Sequence, residues 1–458
     1  MEKFDLVVLG AGPAGVAAAT AAALRGMTAC LISGGVFLGY GLEGAFKSKS
    51  LYEIARSYHS VRNQWGLVSG DHEVDFGALS AGNTAGAEAL RAVRQAELLE
   101  LGITTIQGNG RFTDPHTLIV DGEREVHGEF VLIATGTRPR MLPGMLPDGE
   151  RILTSDHVVK LARPLSTLLI LGAGVIGCEF ASIFASLGSK VTLVDTKERI
   201  FAHDDPDVSD LLCASFDRMG VTVIPSARCK GMKVSDGQVH TDLGRDEPVV
   251  TDAAILSVGR VPNTQNLGLG KAGVECGARD YIPTSNSMQT NVPHIYAAGD
   301  VGHRDSEHDL SLVHIGEAEG RQAVGHMAGG GNVLDTDYVP FIIFTIPMVA
   351  GAGLSETEAR KRFPNLRMAT WLNERNHRSH AMKSKEGFVK LLVGPEGDDR
   401  ILGLRAVGQG VDTAVGQVSI MIQHGLPYTH LLDSTQAHPS LAESLQGAAR
   451  ILAGQAPT

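Results

Sequence analysis

The stretch GAGPAG, residues 10–15, follows the apolar run Phe4–Leu9 and precedes the alanine-rich run Val16–Leu24. This order predicts a buried strand, a tight turn and a helix, and the apolar run Thr28–Ile32 predicts the strand that completes a βαβ unit. In such a unit the first glycine permits the turn, the second lets backbone approach a pyrophosphate, and the third lets helix and strand pack closely. The helix N-terminus then offers free N–H groups to phosphates.

The same pattern recurs at residues 172–177, where GAGVIG joins the run Leu168–Leu171 to a helical run, Cys178–Leu187, and a further strand, Lys190–Val194. One glycine motif is weak in a chain with 55 glycines. Two copies that each join a strand to a helix are much stronger, and they predict two dinucleotide-binding domains.

The residue that ends the second strand of each copy indicates which nucleotide binds. In the second copy this residue is Asp195, and its carboxylate favours NAD(H) because it would repel the 2′-phosphate of NADP(H). Lys197 and Arg199 follow closely, so NADP(H) stays an alternative. In the first copy the equivalent residue is Ser33, a weaker partner for a ribose hydroxyl than a carboxylate.

Composition limits the classes of protein to consider. A chain of 458 residues with 43% apolar and 20% charged residues is typical of a globular protein with several domains. A net charge of −11 disfavours nucleic acid as a partner. The apolar run Phe341–Leu354 is too short to span a membrane, and five scattered cysteines predict a cytoplasmic protein without a metal site.

The C-terminal part of the chain has no dinucleotide turn. Its pattern predicts a separate α+β domain. The predicted strands are Met368–Leu372, Gly387–Val393 and Ile401–Val407, and the predicted helices are Thr413–His424 and Ser440–Leu452.

Further motifs follow in order: LIATGTRP at 132–139, GAGVIGCE at 172–179, SVGRVPN at 257–263, YAAGD at 296–300 and AHPSLAE at 437–443. Together with GAGPAG they resemble the pyridine nucleotide-disulfide oxidoreductases over nearly the whole chain. The resemblance implies an α/β fold with two Rossmann-like domains, for FAD and NAD, and a C-terminal α+β dimerisation domain. The implied bounds are 1–150 and 265–337 for the FAD domain, 151–264 for the NAD(P) domain and 338–458 for the dimerisation domain.

The resemblance also implies the residues that contact each cofactor. Those expected at FAD are Gly10, Gly12, Pro13, Ala14, Gly15, Ser33, Gly34, Lys49, Gly110, Thr135, Gly136, Asp300, Leu312 and His314. Those expected at NAD(H) are Gly172, Gly174, Val175, Ile176, Gly177, Glu179, Asp195 and Gly259.

The disulfide of these relatives has no counterpart here. They carry a CxxxxC pair beside the flavin, whereas residues 34–53 read GGVFLGYGLEGAFKSKSLYE and contain no cysteine. Cys30 lies within a predicted strand and is expected to pack as a small apolar residue. Lys49 matches the lysine that lies near the flavin in relatives and pairs with a glutamate, here Glu179. Lys47 is the competing candidate, and an exposed helix lysine is the alternative for Lys49.

His438 matches the histidine that reaches across the dimer to the partner's flavin in relatives, and Glu443 matches the glutamate that holds the ring of that histidine. A carboxylate fixes the tautomer of an imidazole, which suits the pair to acid–base catalysis. Contact at this spacing needs a turn before the helix, which Pro439 at the first helical position is expected to supply. The match predicts a homodimer, and a histidine kept only for dimer packing is the alternative.

These residues together predict a FAD-dependent oxidoreductase. It takes hydride from NAD(P)H and passes electrons from the flavin directly to a small-molecule acceptor: a quinone, an activated organic electrophile or a second nicotinamide. In one alternative, the flavin directly oxidises a thiol or lipoamide-type substrate. In another, the chain is a cofactor-binding regulatory protein whose catalysis has lapsed.

Overall fold

Strands and helices alternate along most of the chain. A computed structural model describes residues 1–39, 41–67, 74–303, 311–330 and 338–455. The strands, in chain order, are β1 Glu2–Leu9, β2 Ala29–Ser33, β3 Thr104–Gln107, β4 Gly110–Phe112, β5 Thr117–Val120, β6 Arg124–Ile133, β7 Thr137–Pro139, β8 Ile152–Thr154, β9 Thr167–Leu171, β10 Lys190–Val194, β11 Thr222–Ile224, β12 Gly231–Ser235, β13 Gln238–Asp242, β14 Val249–Thr251, β15 Ala253–Leu256, β16 Arg260–Pro262, β17 Ile282–Pro283, β18 Ile295–Ala297, β19 Gly302–His303, β20 Phe341–Ile343, β21 Val349–Gly353, β22 Arg367–Leu372, β23 Phe388–Val393 and β24 Ile401–Val407.

The helices separate the strands in the same order. They are α1 Pro13–Ala23, α2 Lys47–His59, α3 Phe76–Glu100, α4 Ser155–Val158, α5 Val175–Ser186, α6 Pro206–Arg218, α7 Leu269–Ala272, α8 Val313–Met327, α9 Glu356–Arg362, α10 His377–Ala381, α11 Asp412–Gln423, α12 Thr429–Asp433 and α13 Glu443–Leu452. Short π-helical segments, Gly41–Phe46 and Ser60–Gln64, flank α2.

The first of two compact units comprises residues 1–48, 80–140 and 259–336. Its main sheet has seven strands in the order β3-β2-β1-β6-β5-β4, with β18 also paired to β6. The four strands β3, β2, β1 and β6 pair in parallel, as does β18, and the strand predicted at Phe4–Leu9 lies at the centre. The four residues Leu6–Leu9 are buried, as expected for a parallel sheet covered on both faces.

The second unit comprises residues 49–79, 141–258 and 337–458. One of its sheets is fully parallel, in the order β11-β10-β9-β15-β8, and contains the second predicted βαβ unit. A second five-stranded sheet, β20-β21-β24-β23-β22, is antiparallel. The predicted α/β fold with a C-terminal α+β part is therefore confirmed. The three-domain bounds stay a prediction.

A buried lysine and three carboxylates join the C-terminal sheet to the nucleotide-binding part of the second unit. Lys390 on β23 is 1% exposed, and its Nζ lies 2.9 Å from Asp205, 2.7 Å from Asp207 and 3.0 Å from Glu356. Burial opposes the charge on Lys390, but the hydrogen bonds that it donates to Asp207 and Asp205 prevail and raise its pKa. Since a buried cation needs oppositely charged partners, these three carboxylates compensate for the burial of Lys390.

Candidate functional site

The first glycine-rich turn has the backbone that nucleotide binding requires. Gly10 has φ +117°, and a Cβ there would lie 2.3 Å from the Ala134 carbonyl oxygen. A Cβ on Gly15 would lie 2.0 Å from the Gly10 oxygen, so only glycine lets α1 start this close to β1. A Cβ on Gly12, in contrast, would have no atom within 4 Å, so the backbone is open on that side.

The second turn repeats this arrangement. Gly172 has φ +103°, and a Cβ on Gly177 would lie 1.8 Å from the Gly172 oxygen. Gly174 again faces open space. Val175 and Ile176 form the first turn of α5, three residues before the predicted helix start at Cys178, because the third glycine lies inside the helix. For the same reason α1 begins at Pro13 rather than at Val16.

The start of each helix is suited to an anionic ligand. Neither α1 nor α5 has a side-chain cap on its N-terminal N–H groups, and neither has an acidic residue in its first turn. These unpaired donors and the positive end of the helix dipole are what a pyrophosphate needs. The residues predicted there, including Pro13 and Ala14, therefore fit a dinucleotide phosphate at each turn.

The residues that end the second strands differ in their contacts. Asp195 lies just beyond β10, where its Oδ2 accepts the Ala173 N–H at 2.5 Å and its Oδ1 accepts the Lys197 N–H at 2.8 Å. These bonds hold the carboxylate beside the glycine turn. Ser33 ends β2, is 9% exposed, and places its Oγ 3.4 Å from the Gly35 oxygen. The first unit therefore offers a neutral hydroxyl where the second offers a carboxylate.

Three of the sequence motifs meet in the first unit. Thr137 Oγ1 donates to Asp300 Oδ2 at 3.0 Å, and Arg260 Nε donates to the same Thr137 oxygen at 2.8 Å. Thr135 Oγ1 donates to the Asn263 carbonyl at 2.8 Å, and the Asn263 N–H donates to the Gly136 carbonyl at 2.9 Å. LIATGTRP, SVGRVPN and YAAGD thus form one hydrogen-bonded network that fixes the Asp300 carboxylate.

Helix α8 carries the segment predicted to approach the flavin. Leu312 precedes the helix with extended backbone, and His314 lies exposed in its first turn. Glu319 on this helix accepts the Gly299 N–H at 2.6 Å, which ties α8 to YAAGD. A Cβ on Gly320 would lie 2.2 Å from the Ala14 oxygen, so α8 packs directly on α1.

Two glycines predicted at the cofactors lie in other surroundings. Gly110 begins β4, and a Cβ there would lie 2.7 Å from Leu9 Cδ1, inside the apolar core. Gly259, predicted at NAD(H), groups with the first unit, where its carbonyl accepts the Arg140 N–H at 3.0 Å. A cofactor role for these two residues stays a prediction.

The loop that follows β2, which contains no cysteine, carries an ion-pair cluster that the sequence did not reveal. Glu43 in the π-helical segment lies 2.7 Å from Lys47 Nζ and 2.5 Å from an Arg91 nitrogen on α3. Burial acts to raise the pKa of Glu43, but Lys47 and Arg91 outweigh it and lower that pKa below its ordinary value. Lys47, the competing candidate, is therefore engaged with Glu43. Gly34, at the start of the loop, lies against Asn109.

Lys49 pairs with Glu179, as predicted, within the second unit. Its Nζ lies 3.1 Å and 2.9 Å from the two carboxylate oxygens of Glu179, a residue of α5 that is buried. The Phe344 N–H donates to Glu179 Oε1 at 3.0 Å, and the Phe344 ring lies 4.9 Å from Lys49 Nζ. The ammonium is thus held between a carboxylate and an aromatic face. No motif or spacing in the sequence pointed to Phe344.

His438 and Glu443 also meet as predicted. His438 Nδ1 lies 2.9 Å from Glu443 Oε1, and Glu443 Oε2 accepts the Ser440 N–H at 2.8 Å. Burial acts to raise the pKa of Glu443, but the bonds from Ser440 and His438 prevail and lower it. Pro439 was wrongly placed in the first helical position, since α13 begins at Glu443. The turn of residues 440–442, closed by the Glu443 carboxylate, brings the pair together.

All five cysteines lie among the described residues, and all are free thiols. Burial is the largest cause that raises the pKa of each thiol, to about 12 for Cys30. Cys30 is fully buried in an apolar cluster of the first unit, in line with its predicted packing role. A thiol held protonated in this way is a poor nucleophile. Over the described ranges, no set of side chains could hold a metal ion, and no helix could cross a membrane.

Comparisons with known proteins agree over nearly the whole chain. Residues 4–320 match the pyridine nucleotide-disulphide oxidoreductase family, and residues 339–449 match the dimerisation domain of that family. The dihydrolipoyl dehydrogenase of Chlamydia muridarum is 32% identical and covers 96% of this chain and 95% of its own length. That of Bacillus subtilis is 32% identical, with 97% of each chain covered.

Solved structures give the same result. LpdA from Mycobacterium tuberculosis superposes with a TM-score of 0.91 at 28% identity, over 99% of this chain and 100% of that one. The HOCl-induced flavoprotein disulfide reductase RclA from Escherichia coli, solved as a Cu(II) complex, superposes with a TM-score of 0.88 at 26% identity, over 99% and 100%.

Proposed function

Because the chain belongs to the pyridine nucleotide-disulphide oxidoreductase family, we propose that it uses the two nucleotides of that family without the disulfide. Members bind FAD and NAD(H), so the protein is a flavin-dependent pyridine nucleotide oxidoreductase. For a quinone or an organic electrophile the proposed reaction is NAD(P)H + H⁺ + acceptor giving NAD(P)⁺ + reduced acceptor, whereas a second nicotinamide accepts the hydride without a proton. The acceptor is a quinone, an activated organic electrophile or a second nicotinamide.

One observation carries this proposal: no cysteine lies between Cys30 and Cys178. Disulfide exchange begins with attack by a thiolate. The loop that holds the thiols in relatives holds the Glu43–Lys47–Arg91 cluster instead. Electrons that reach the flavin must then leave it without passing through a protein disulfide.

Lys49 and Glu179 are the proposed residues for the hydride-transfer step. Bound FAD supplies the hydride and electron chemistry that protein side chains lack. Lys49 provides a positive charge, and its contacts with Glu179 and the Phe344 ring hold that charge in position. A preoriented cation stabilises developing negative charge without reorganisation during the reaction.

His438 is the proposed acid that delivers a proton to the reduced acceptor. Glu443 binds its Nδ1, which leaves Nε2 as the nitrogen that exchanges a proton with substrate. The His438 side chain is 59% exposed in the single chain, so the ring is accessible to a partner molecule. The match to the dimerisation domain supports a homodimer in which this ring serves the partner's site.

The test mixes the FAD-loaded enzyme anaerobically with NADH and then with a benzoquinone; in a parallel experiment the oxidised enzyme is mixed with dihydrolipoamide in place of NADH. We expect NADH to bleach the flavin and the quinone to restore its absorbance. Alkylation of the NADH-reduced enzyme with iodoacetamide should leave quinone turnover unchanged, whereas an enzyme that used a disulfide relay would lose activity. A Cys276→Ser variant controls for the exposed thiol. Failure of NADH to bleach the flavin would disprove the proposal.

The His438→Ala variant separates the two halves of the reaction. We expect the second half-reaction to slow by about 10²–10⁴-fold with flavin reduction spared, since general acid catalysis contributes that much. Stopped-flow absorbance measures both halves. An equal loss of rate in both half-reactions would instead indicate a defect in folding or dimerisation.

The names of the relatives favour a second candidate. Two are dihydrolipoyl dehydrogenases, so the acceptor site could serve a thiol or lipoamide-type substrate that reacts directly with the flavin. Reduction of the flavin by dihydrolipoamide at a rate comparable to NADH would support this reading. Flavin reduction by NADH without turnover on any acceptor would instead favour a lapsed, regulatory protein.

A further inference from the structure

The residues after β10 form a loop that begins and ends at the second glycine-rich turn. At its start the Asp195 carboxylate accepts the Ala173 N–H at 2.5 Å, and at its end the Phe201 N–H donates to the Ala173 carbonyl at 2.8 Å. Residues 196–199 lie exposed between these two anchors. In a Rossmann unit the residues at this strand end face the ribose that carries the 2′-hydroxyl of NAD(H) or the 2′-phosphate of NADP(H). The side chains of this loop are therefore placed to affect which nicotinamide cofactor binds.

The two cations on this loop have different surroundings. Arg199 pairs through its guanidinium with the Asp210 carboxylate on α6, and both side chains are exposed. Lys197 is exposed, and its backbone N–H binds Asp195 Oδ1. Arginine suits a phosphate better than lysine does, because its planar fork can donate two parallel hydrogen bonds. The guanidinium that could bind a 2′-phosphate is thus already paired with a carboxylate.

A buried hydrogen bond fixes the two partners next to each other. Ser209, the neighbour of Asp210, is 1% exposed, and its Oγ donates to the Ile200 carbonyl at 2.7 Å. Ile200, the neighbour of Arg199, is also buried. Exposed ion pairs usually contribute little, because two long side chains must be held in one geometry. Here the backbone beside each partner is already held, so less conformational freedom is lost when the pair forms.

The start of α6 has its own anchor. Asp205, which precedes the helix, and Asp207 in its first turn lie 2.9 Å and 2.7 Å from the buried ammonium of Lys390. Asp210 follows about one turn later on the same helix. Its carboxylate is therefore presented to Arg199 by a helix whose start is bound in the interior.

We propose that Asp210 is a positioning residue that sets cofactor specificity, because it holds Arg199 in an ion pair and withholds it from the 2′-phosphate of NADP(H). This inference rests on the proposed binding of NAD(P)H at the second glycine-rich turn and is independent of the acceptor. Asp195 disfavours the 2′-phosphate by direct repulsion. Asp210 does so indirectly, by occupying the only arginine of residues 195–201. Two separate carboxylates thus select NAD(H).

The test measures the affinity of the FAD-loaded enzyme for NAD⁺ and for NADP⁺ by isothermal titration calorimetry. The oxidised nucleotides serve as probes so that the flavin is not reduced. Asp210→Asn removes the charge and keeps the size of the side chain. We expect this variant to bind NADP⁺ about 3–10-fold more tightly, since the released guanidinium gains a charge-assisted contact with phosphate, while its affinity for NAD⁺ changes by about twofold or less.

Further variants show which groups carry the effect. Asp210→Glu keeps the carboxylate and should keep the wild-type ratio of the two affinities. The gain in NADP⁺ affinity should disappear when Asp210→Asn is combined with Arg199→Gln, and should persist when it is combined with Lys197→Gln. The matched control is Asp217→Asn, which removes the same charge from an exposed position of the same helix and should leave the ratio in place.

Two outcomes would overturn the inference. One is an Asp210→Asn variant that binds NADP⁺ no more tightly than Asp217→Asn does. The other is a gain in affinity that survives Arg199→Gln, which would assign it to another group. Both would leave the proposed function standing, because NADH would still bleach the flavin. Failure of NADH to bleach the flavin of the wild-type enzyme would instead disprove the proposed function itself.

Discussion

The two glycine-rich turns share a backbone and differ in what surrounds it. Gly10 and Gly172 have φ values of +117° and +103°, and Gly15 and Gly177 would each force a Cβ to within 2.0 Å of a backbone oxygen. Beyond the second strand, one unit has the carboxylate of Asp195 and the other a serine. Steric limits on the backbone therefore specify the turn in both units, whereas the residue at the strand end is free to differ between them.

The largest effect should come from the third glycine. We expect Gly15→Ala and Gly177→Ala each to destabilise the protein by about 1–3 kcal/mol or more, because backbone must move to admit the methyl group. Thermal unfolding of the apoprotein measures this. The matched controls are Gly12→Ala and Gly174→Ala, which face open space and should weaken nucleotide binding without lowering the melting temperature. Equal melting temperatures for all four variants would refute the shared steric origin.

The next effect concerns the carboxylate of the second unit. Asp195→Ser makes the end of β10 resemble the end of β2. It should weaken NADH binding by roughly 10–100-fold, which is the contribution of one or two charge-assisted hydrogen bonds to the affinity. It should also narrow the preference for NADH over NADPH. Fluorescence titration gives both affinities, with the exposed Asp217→Ser as control. An unchanged affinity would mean that Asp195 serves only to bind the Ala173 and Lys197 N–H groups.

The converse change tests the first unit. Ser33→Asp supplies the carboxylate that this strand end lacks, and we expect FAD to dissociate about 3–10-fold more slowly, since an ionised acceptor bonds a hydroxyl more strongly than a neutral one. Release of FAD into a chase solution measures the rate. Faster loss of FAD would show that the site around Ser33 tolerates only a neutral residue.

The smallest effect concerns the loop that follows β2 in the first unit, where Glu43 forms its ion pairs. The pKa of Glu43 lies below its ordinary value of 4.5, so its ion pairs stabilise the folded state above that pH and are lost as the pH falls through the lowered value. Glu43→Gln should therefore lower the melting temperature at pH 7, with the difference from wild type shrinking below about pH 4.5. A difference that is constant with pH would contradict this origin.

Local pattern was enough for the fold and for part of the site. The strands at β1, β10 and β24 follow apolar runs whose ends the sequence marks clearly, and the motif resemblance identified the Lys49–Glu179 and His438–Glu443 pairs. The contacts that were missed join distant segments: Arg91 to Glu43, and His377 to His438. No periodicity or spacing records such contacts, because each depends on how whole elements pack. Pro439 was misplaced since a carboxylate, rather than a helix, closes its turn.

The close packing of α8 on α1 through Gly320 also bears on how the protein is made. Synthesis delivers the N-terminal segment first, yet the sheet of the first unit gains β18 and its cover of α8 only once residues 295–327 have left the ribosome. The parallel sheet of the second unit, residues 152–256, is complete before that. The alanine-rich α1 therefore gains its cover of α8 only after the parallel sheet of the second unit has been synthesised, although α1 itself lies near the start of the sequence.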